Sequence, residues 1–310
     1  MIYKLYKLSF SNGIHIGKNN LQDTEISICA DTVFSAMCHE MLKKGGDEFD
    51  GFISKMMEGS IIISDMLPYC CKSYYIPKPM LKITDKNVEA DLSLRKAYKK
   101  LEYISFDTLD DYLDGSLDVV YENDVFINDI GKKSIRTCVS INGEEDPVPY
   151  NVATYHFQDY SGLYMLAGFK QKDDVNIIDE CMTALGYSGI GGKRKSGLGR
   201  FTWSEGKIEE AVLARLENPS DKYVSISCCL PKDDEMENAL KDSSYLLIKR
   251  SGFVASDNYS SENRKKRDLY VLRSGSCFNN KFEGSIVDVS DGGAHPVYRY
   301  ARPFFVGVSL

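Results

Sequence analysis

A segment rich in both glycine and basic residues, 186–201, stands out in this 310-residue sequence. Six glycines fall within fourteen residues, and the segment also carries Lys193, Arg194, Lys195 and Arg200. Glycine tolerates positive φ and close backbone approach, so successive N–H groups of such a segment can point at an anion. Basic side chains add charge-assisted contacts. We therefore expect a loop that binds phosphate groups, with a solvated surface loop as the alternative.

Two familiar phosphate-binding motifs do not fit this segment. A P-loop places Lys and then Ser or Thr after its last glycine, but here Lys193 is followed by Arg194. The dinucleotide pattern G-x-G-x-x-G fails because Arg194 stands where the third glycine belongs. The segment also follows a predicted helix and precedes a predicted strand, the reverse of both motifs. We therefore expect no nucleotide cofactor.

The elements around this loop predict a ferredoxin-like first half. Residues 2–10 alternate as a strand does, and Asp31 is placed to cap a helix that ends at Gly45–Gly46. A short helix over 49–57 and strands over 61–63 and 163–169 follow from their apolar patterns. A helix over 175–185 has Gly186 as its expected stop. This β-α-β-β-α-β order predicts a ferredoxin-like or RRM-like domain over 1–205.

A long insertion, about 65–160, interrupts that order. Apolar residues between 94 and 104 recur at helical spacing. Residues 135–141 then alternate cleanly and run into Asn142–Gly143, which predicts a projecting hairpin. Arg136 lies opposite the apolar side of this hairpin.

The second half, 215–310, reads as strands separated by turns, with a short helix near 234–240. We expect strands at 223–230, 245–248, 269–272, 285–289, 297–301 and 304–308. The residues just after Glu205 are charged and predict a loop. The fold class is therefore α+β, with a second, degenerate ferredoxin-like domain as the interpretation of this half.

Composition limits which ligands, covalent cross-links and cellular locations are expected for the chain. Its formal net charge of −7 argues against binding nucleic acid through global positive charge, so any such site must be a local basic patch. Nine cysteines with no C-x-x-C spacing indicate neither a disulfide framework nor a zinc ribbon, and we expect no metal site. The apolar runs are too short to span a bilayer, and the first residues lack the apolar core of a secretory signal. We expect a cytoplasmic protein with reduced thiols and no membrane contact.

The residues 189–201 resemble the glycine-rich loop of the RAMP superfamily of CRISPR proteins. That loop has the form G-x-G-x-x-K-S-x-G-x-G and lies between the last helix and last strand of a ferredoxin-like domain; this sequence has one extra residue before Lys195–Ser196. The opening segment 11–17 and the helix start Asp-Thr-Val-Phe-Ser at 31–35 resemble the same superfamily. The tail 295–307 is similar to the type III-A (Csm) subunit that binds the 5′ handle of the guide RNA.

This resemblance implies a non-catalytic RNA-binding subunit with two ferredoxin-like domains and a thumb-like hairpin. Its implied partners are the guide RNA (crRNA), a large polymerase-like or cyclase-like subunit and a backbone subunit, with target RNA contacted indirectly. We expect RNA contacts from the following residues: His15, Asp31, Thr32, Ser35, Arg136, Gly189, Gly191, Gly192, Lys193, Lys195, Ser196, Gly197, Gly199, Arg200, Tyr298 and Arg299.

Several of these residues carry alternative interpretations. His15 could serve as a general acid or base, as a histidine does in guide-processing endonucleases of the same superfamily. Asp31 could be only a helix cap, or the helix start that it caps could face phosphate. The basic run 264–267 could be a solvated loop or a contact to RNA or an acidic partner. A scaffold without RNA contact is the remaining alternative.

Overall fold

The computed structural model of this chain describes residues 1–17, 20–81, 92–140, 146–256 and 258–309. Within those ranges, no helix is long and apolar enough to cross a membrane.

In the described residues of the first half there are six helices and nine strands. The helices are α1 (Ala30–Lys44), α2 (Gly46–Met57), α3 (Leu92–Lys100), α4 (Leu109–Asp114), α5 (Val119–Ile130) and α6 (Val175–Ser188). The strands are β1 (Ile2–Phe10), β2 (Ile61–Ile63), β3 (Leu67–Cys70), β4 (Ser73–Pro77), β5 (Tyr103–Ser105), β6 (Gly131–Ser140), β7 (Val148–Phe157), β8 (Ser161–Phe169) and β9 (Phe201–Gly206). Short 3₁₀ turns lie at Phe106–Thr108, Lys172–Asp174 and Arg194–Ser196.

Seven of these strands form one antiparallel sheet. Six of them lie in the order β5-β4-β3-β8-β1-β9, and the seventh is β2. The strand β2 also pairs with β8, next to β3: Ile61 lies opposite Phe169, and Cys70 lies opposite Ser161. Together β2 and β3 therefore occupy the place of a single strand beside β8. The resulting order of strands and the helices α1 and α6, which contact each other, give the ferredoxin-like arrangement that the sequence predicts.

Burial explains why these elements form where they do. The central strand β8 is buried along its whole length, as expected for a strand with neighbours on both edges and helices packed on the sheet. Helix α1 buries Val33, Phe34, Met37 and Met41 at helical spacing and carries Lys43 and Lys44 in its last turn, where cations favour the helix dipole.

The first part of the predicted insertion, about 65–160, extends the main sheet through β3, β4 and β5. Helices α3 to α5 follow, and then β6 and β7 form the predicted hairpin, in which Arg136 pairs with Val152. The predicted turn at 142–143 lies outside the described residues. The apolar side of the hairpin is not buried: Ile135 and Val139 are each more than half exposed, as is Val148 on the other face, opposite Ser140. The hairpin therefore projects with apolar side chains in solvent.

The part of the second half that the structure describes contains two helices, α7 (Glu210–Glu217) and α8 (Met236–Leu240), and seven short strands. The strands are β10 (Lys222–Ser225), β11 (Leu247–Arg250), β12 (Leu269–Leu272), β13 (Cys277–Phe278), β14 (Ser285–Asp288), β15 (Tyr298–Ala301) and β16 (Phe305–Val308). They form three small antiparallel sheets, β13-β10-β16, β11-β12 and β14-β15. The largest hydrophobic core cluster includes residues of both halves, such as Leu5, Phe34 and Tyr300.

Three local predictions were wrong. The helical spacing between 94 and 104 belongs to two elements, because α3 ends at Lys100 and Ile104 lies in β5. The charged residues after Glu205 include helix α7. Helix α6 continues through Gly186 to Ser188, and this glycine instead allows close packing, since a Cβ there would lie 2.6 Å from the carbonyl oxygen of Phe201 in β9.

Tyr300 joins the two halves through a buried hydrogen bond. Its hydroxyl accepts the N–H of Ile63 in β2 at 3.0 Å, and its ring packs on Phe34 in α1 at a centroid distance of 5.8 Å. Replacing Tyr300 by Phe leaves the ring in place but strands a buried N–H. We expect Tyr300→Phe to lower the free energy of unfolding by about 1–3 kcal/mol, measured by chemical denaturation.

Tyr187→Phe is the matched control, because Tyr187 is 80% exposed and should change stability by less than about 0.5 kcal/mol. Equal effects of the two substitutions would show that the Tyr300 hydroxyl does not hold the halves together.

Candidate nucleic-acid interface

A cleft of about 600 Å³ lies between the two halves of the chain. The first turns of α1 form one side, with Asp31, Thr32 and Ser35. Part of the glycine-rich segment adjoins them, and β11 with the residues that follow it, 248–253, forms the opposite side. The cleft therefore places a helix start, a basic loop and a strand from the second half around one space.

The cleft gathers some of the residues that the sequence predicted as RNA contacts. It is lined by Asp31, Thr32, Ser35, Gly191, Gly192, Tyr298 and Arg299. The other predicted residues do not line it: His15, Arg136, Gly189, Lys193, Lys195, Ser196, Gly197, Gly199 and Arg200. The cleft thus holds about half of the expected set of residues.

Asp31 is the centre of a buried ion cluster rather than a helix cap. The capping position is Cys29, and the Asp31 carboxylate lies inside the first turn of α1. Arg250 donates to its two oxygens, from Nε at 2.9 Å and from Nη2 at 2.7 Å, and Arg299 donates from Nη1. Burial alone would raise the pKa of Asp31, but the two guanidinium groups hold it below its ordinary value. The carboxylate therefore stays ionised and fixes both arginines.

Lys266 adds a further cation beside the two arginines that pair with Asp31, while Glu25, Asp65 and Glu102 also line the cleft. Burial lowers the pKa of Lys266, and the neighbouring Arg299 lowers it further. Burial also lowers the pKa of His39, with Arg194 and Lys266 as the next causes. Burial is the largest cause of both shifts, and the neighbouring cations add to it, so an anion bound between Lys266 and His39 would favour their protonated forms.

The glycine-rich loop is held mainly by its own backbone. The N–H of Ile190 donates to Gly199 O at 2.9 Å, the N–H of Gly192 to His15 O at 2.8 Å, and the N–H of Gly199 to Gly13 O at 3.1 Å. The N–H groups of Gly189, Ser196 and Gly197 also donate to backbone carbonyls. The expectation that these N–H groups point at a phosphate is therefore wrong for all six residues, because they are already used within the protein.

His15 lies beneath this loop and not along the cleft. Its side chain is 3% exposed, and its Nδ1 donates to the carbonyl oxygen of Ala153 in β7 at 2.7 Å. A carbonyl only accepts, so Nδ1 carries the proton in this arrangement. His15 thus ties the glycine-rich loop to the base of the hairpin.

The remaining predicted residues lie on the outer side of the loop and on the hairpin. Lys193 reaches the hairpin, with its Nζ 4.7 Å from the ring centroid of Tyr150. Lys195, Ser196 and Arg200 are exposed, as is Arg136 on β6. These groups could meet RNA only outside the cleft.

Sequence reasoning missed several charged residues that the cleft brings together. Arg250 and Arg273 lie at or near the ends of short strands of the second half, and His39 lies on α1. A sequence signal existed only for Lys266, which belongs to the basic run 264–267 that was considered as an RNA contact, and for Arg194 in the loop.

Comparison with known proteins identifies the family. Residues 218–308 match the family model of the CRISPR Csm4 C-terminal domain. Over 306 residues the chain is 34% identical to the CRISPR system Cms protein Csm4 of Mycobacterium tuberculosis strain H37Rv, covering 98% of this chain and 97% of that protein. This chain belongs to the Csm4 family. The Streptococcus thermophilus member is 35% identical over 313 residues, with 98% of each chain covered. The resemblance seen in the sequence is thereby confirmed.

Solved structures of Csm4 proteins share the fold. A crystal structure of a Csm3-Csm4 subcomplex of the type III-A CRISPR-Cas interference complex matches with a TM-score of 0.69 at 18% identity, covering 98% of this chain and 99% of that chain. A Csm1-Csm4 cassette in complex with cA4 matches with a TM-score of 0.60 at 19% identity, covering 100% and 99%. These matches confirm the α+β, ferredoxin-like fold class.

The loop geometry predicts unequal roles for two glycines with the same backbone conformation. Gly199 (φ +74°) would place a Cβ 1.9 Å from the carbonyl oxygen of Ile190, whereas for Gly197 (φ +83°) the nearest atom is Asn12 Nδ2 at 3.9 Å. Gly197→Ala should cost about 1–2 kcal/mol through its left-handed backbone alone. Gly199→Ala should cost about 1–3 kcal/mol more because the Ile190 carbonyl must move.

Chemical denaturation of the two variants measures this difference directly. Equal losses of stability would mean that the loop does not pack on itself as described.

Proposed function

We propose that this chain is a non-catalytic subunit of a type III-A effector complex that holds the 5′ end of the guide RNA. The observation that carries the proposal is the cleft, in which Arg194, Lys266 and the Asp31-fixed arginines concentrate positive charge on a chain of net charge −7. Single-stranded RNA offers phosphates at regular spacing to such a groove. Membership of the Csm4 family supports the proposal that the chain works within a type III-A effector complex.

The proposed roles of the predicted residues follow from their positions. Thr32, Ser35, Gly191, Gly192 and Tyr298 would contact RNA, because they line the cleft. Asp31 would act by positioning Arg250 and Arg299, since a carboxylate repels phosphate and this one is buried. His15 would act by supporting the loop beneath Gly192.

The outward-facing basic groups would contact RNA beyond the cleft. Lys193, Lys195, Ser196 and Arg200 follow Gly191 and Gly192, which line the cleft, within the same loop. Arg136 would meet the guide–target duplex on the hairpin, where the exposed Ile135 and Val139 could pack on bases.

We propose two protein partners, a large polymerase-like subunit and a backbone subunit. Csm4 proteins of the same fold are named in complexes with Csm1 and with Csm3. This chain offers an exposed apolar patch on and beside the β11–β12 pair, made by Leu246, Leu247, Phe253 and Tyr270, each more than half exposed. Large apolar side chains left in solvent in this way would be covered in a complex.

The cleft assignment predicts a specific loss of phosphate contacts. The double variant Arg194→Ala/Lys266→Ala should bind a single-stranded RNA with the repeat-derived 5′ sequence more weakly. The slope of log Kd against log salt concentration should fall by about 1.4, since each lost phosphate contact on a single strand removes about 0.7. Fluorescence anisotropy of the labelled RNA over a salt series measures this slope.

A variant with the same loss of charge provides the control. Lys172 and Lys241 are exposed lysines that do not line the cleft, so Lys172→Ala/Lys241→Ala should leave the slope close to that of the wild type. If the two double variants behave alike, the cleft does not hold RNA.

A second experiment tests the absence of RNA cleavage. The His15 imidazole is buried and engaged with Ala153, so it offers no accessible general acid or base. Purified protein incubated with repeat RNA in a metal chelator should leave the RNA intact on a denaturing gel. Cleavage at one position that is lost in His15→Ala would instead make the chain a metal-independent processing nuclease.

A further inference from the structure

Three side chains that can bind a metal ion meet at the cleft. Cys29 directly precedes α1, Asp65 lies between β2 and β3, and Cys228 follows β10 in the second half. Asp65 and Cys228 are buried, Cys29 is half-buried, and all three line the cleft. Their ligand atoms all lie within 4.8 Å of one another.

The spacing of these atoms fits a tetrahedral thiolate site. The two sulfurs are 3.6 Å apart, and Cys228 Sγ is 4.0 Å from Asp65 Oδ2. Two sulfurs that each lie about 2.3 Å from a tetrahedral zinc are about 3.8 Å apart, and a sulfur and a carboxylate oxygen about 3.6 Å apart. A disulfide needs an S–S distance of about 2.05 Å, so the observed separation is closer to that of a shared cation.

The carboxylate of Asp65 is already oriented for such a role. Its Oδ1 accepts the N–H of Ala30 at 2.7 Å and the N–H of Cys228 at 3.3 Å. These bonds fix the carboxylate and leave Oδ2 on the side of the Cys228 sulfur. Hydrogen bonds that hold a ligand in place in this way are typical of protein metal sites.

The charges around the three side chains also suit a cation with thiolate ligands. Two thiolates, one carboxylate and a divalent ion together carry one negative charge. Arg250 lies near both sulfurs and is bound to Asp31: burial lowers its pKa, but Cys29, Asp31 and Cys228 together raise it. A fixed guanidinium is therefore in place to balance the loaded site.

We propose that Cys29, Asp65 and Cys228 bind one thiophilic divalent cation, with Zn²⁺ as the probe. Binding releases the two thiol protons to solvent and forms two Zn–S bonds and one Zn–O bond. The fourth position of the tetrahedron is left to water or to a group that enters the cleft. Because the ligands come from both halves of the chain, a bound ion cross-links them next to the start of α1. This proposal does not depend on RNA binding.

The test uses the purified full-length chain, reduced with a phosphine, freed of metal with a chelator, and titrated with Zn²⁺ against a chromogenic zinc indicator. The wild type should bind about one ion per chain, and its Tm should rise in zinc. Cys29→Ser and Cys228→Ser should each weaken binding by at least about tenfold and remove the rise in Tm.

Cys71→Ser is the matched control, because Cys70 and Cys71 bring two other sulfurs to 3.7 Å at the surface. This variant should bind Zn²⁺ as the wild type does. Circular dichroism establishes that each variant is folded, and Cys29→Ser, at a half-buried position, serves if Cys228→Ser does not fold.

Cobalt gives an independent readout of the ligands. Co²⁺ added to the wild type should produce the near-ultraviolet absorption of thiolate–cobalt charge transfer, and Cys29→Ser should lose it. The proposal is overturned if zinc affinity is unchanged in both variants, if Cys71→Ser abolishes binding, or if mass spectrometry shows a Cys29–Cys228 disulfide in the reduced preparation.

Discussion

The buried carboxylate of Asp31, bound by Arg250 and Arg299, governs how the two halves of this chain meet. An ionised carboxylate at this depth is costly unless it is fully paired, and here both partners come from the second half. The Asp31 carboxylate in the first turn of α1 therefore depends on β11 and β15 for its ion-pair partners. The cleft surrounds this cluster, so the same contact fixes the position of the two arginines that line it.

The glycine-rich loop shows how a phosphate-loop composition can serve the fold instead. Its glycines let the backbone fold back on itself and on the segment around His15, which in turn contacts the hairpin through Ala153. The loop is therefore a joint between the first sheet and the projecting hairpin. The loop carries basic side chains, and most of its described backbone N–H groups donate to carbonyl oxygens of the protein itself.

Much of the first half could be predicted because its signals are local. The alternation of β1, the apolar run of β8, the apolar face of α1 and the pattern of α6 each depend on residues within one element. Predictions failed where a local pattern crossed a boundary or a contact overrode it. Ile104 kept a helical spacing but pairs in β5, and Gly186 stays helical because β9 packs against it. In the second half the individual strands could be recognised from the sequence. How these strands pair into small sheets could not.

The sequence by itself determined the main elements, the hairpin, the basic loop and the resemblance to the RAMP superfamily. Only the tertiary structure decided which residues share a site. Arg250 reaches Asp31 across 219 positions of sequence, and Cys228 reaches Cys29 across 199. Periodicity reports which face of an element is buried, but it carries no information about the distant chain that covers that face. Ion clusters and ligand sets built from such distant segments therefore become visible only when the path of the backbone is known.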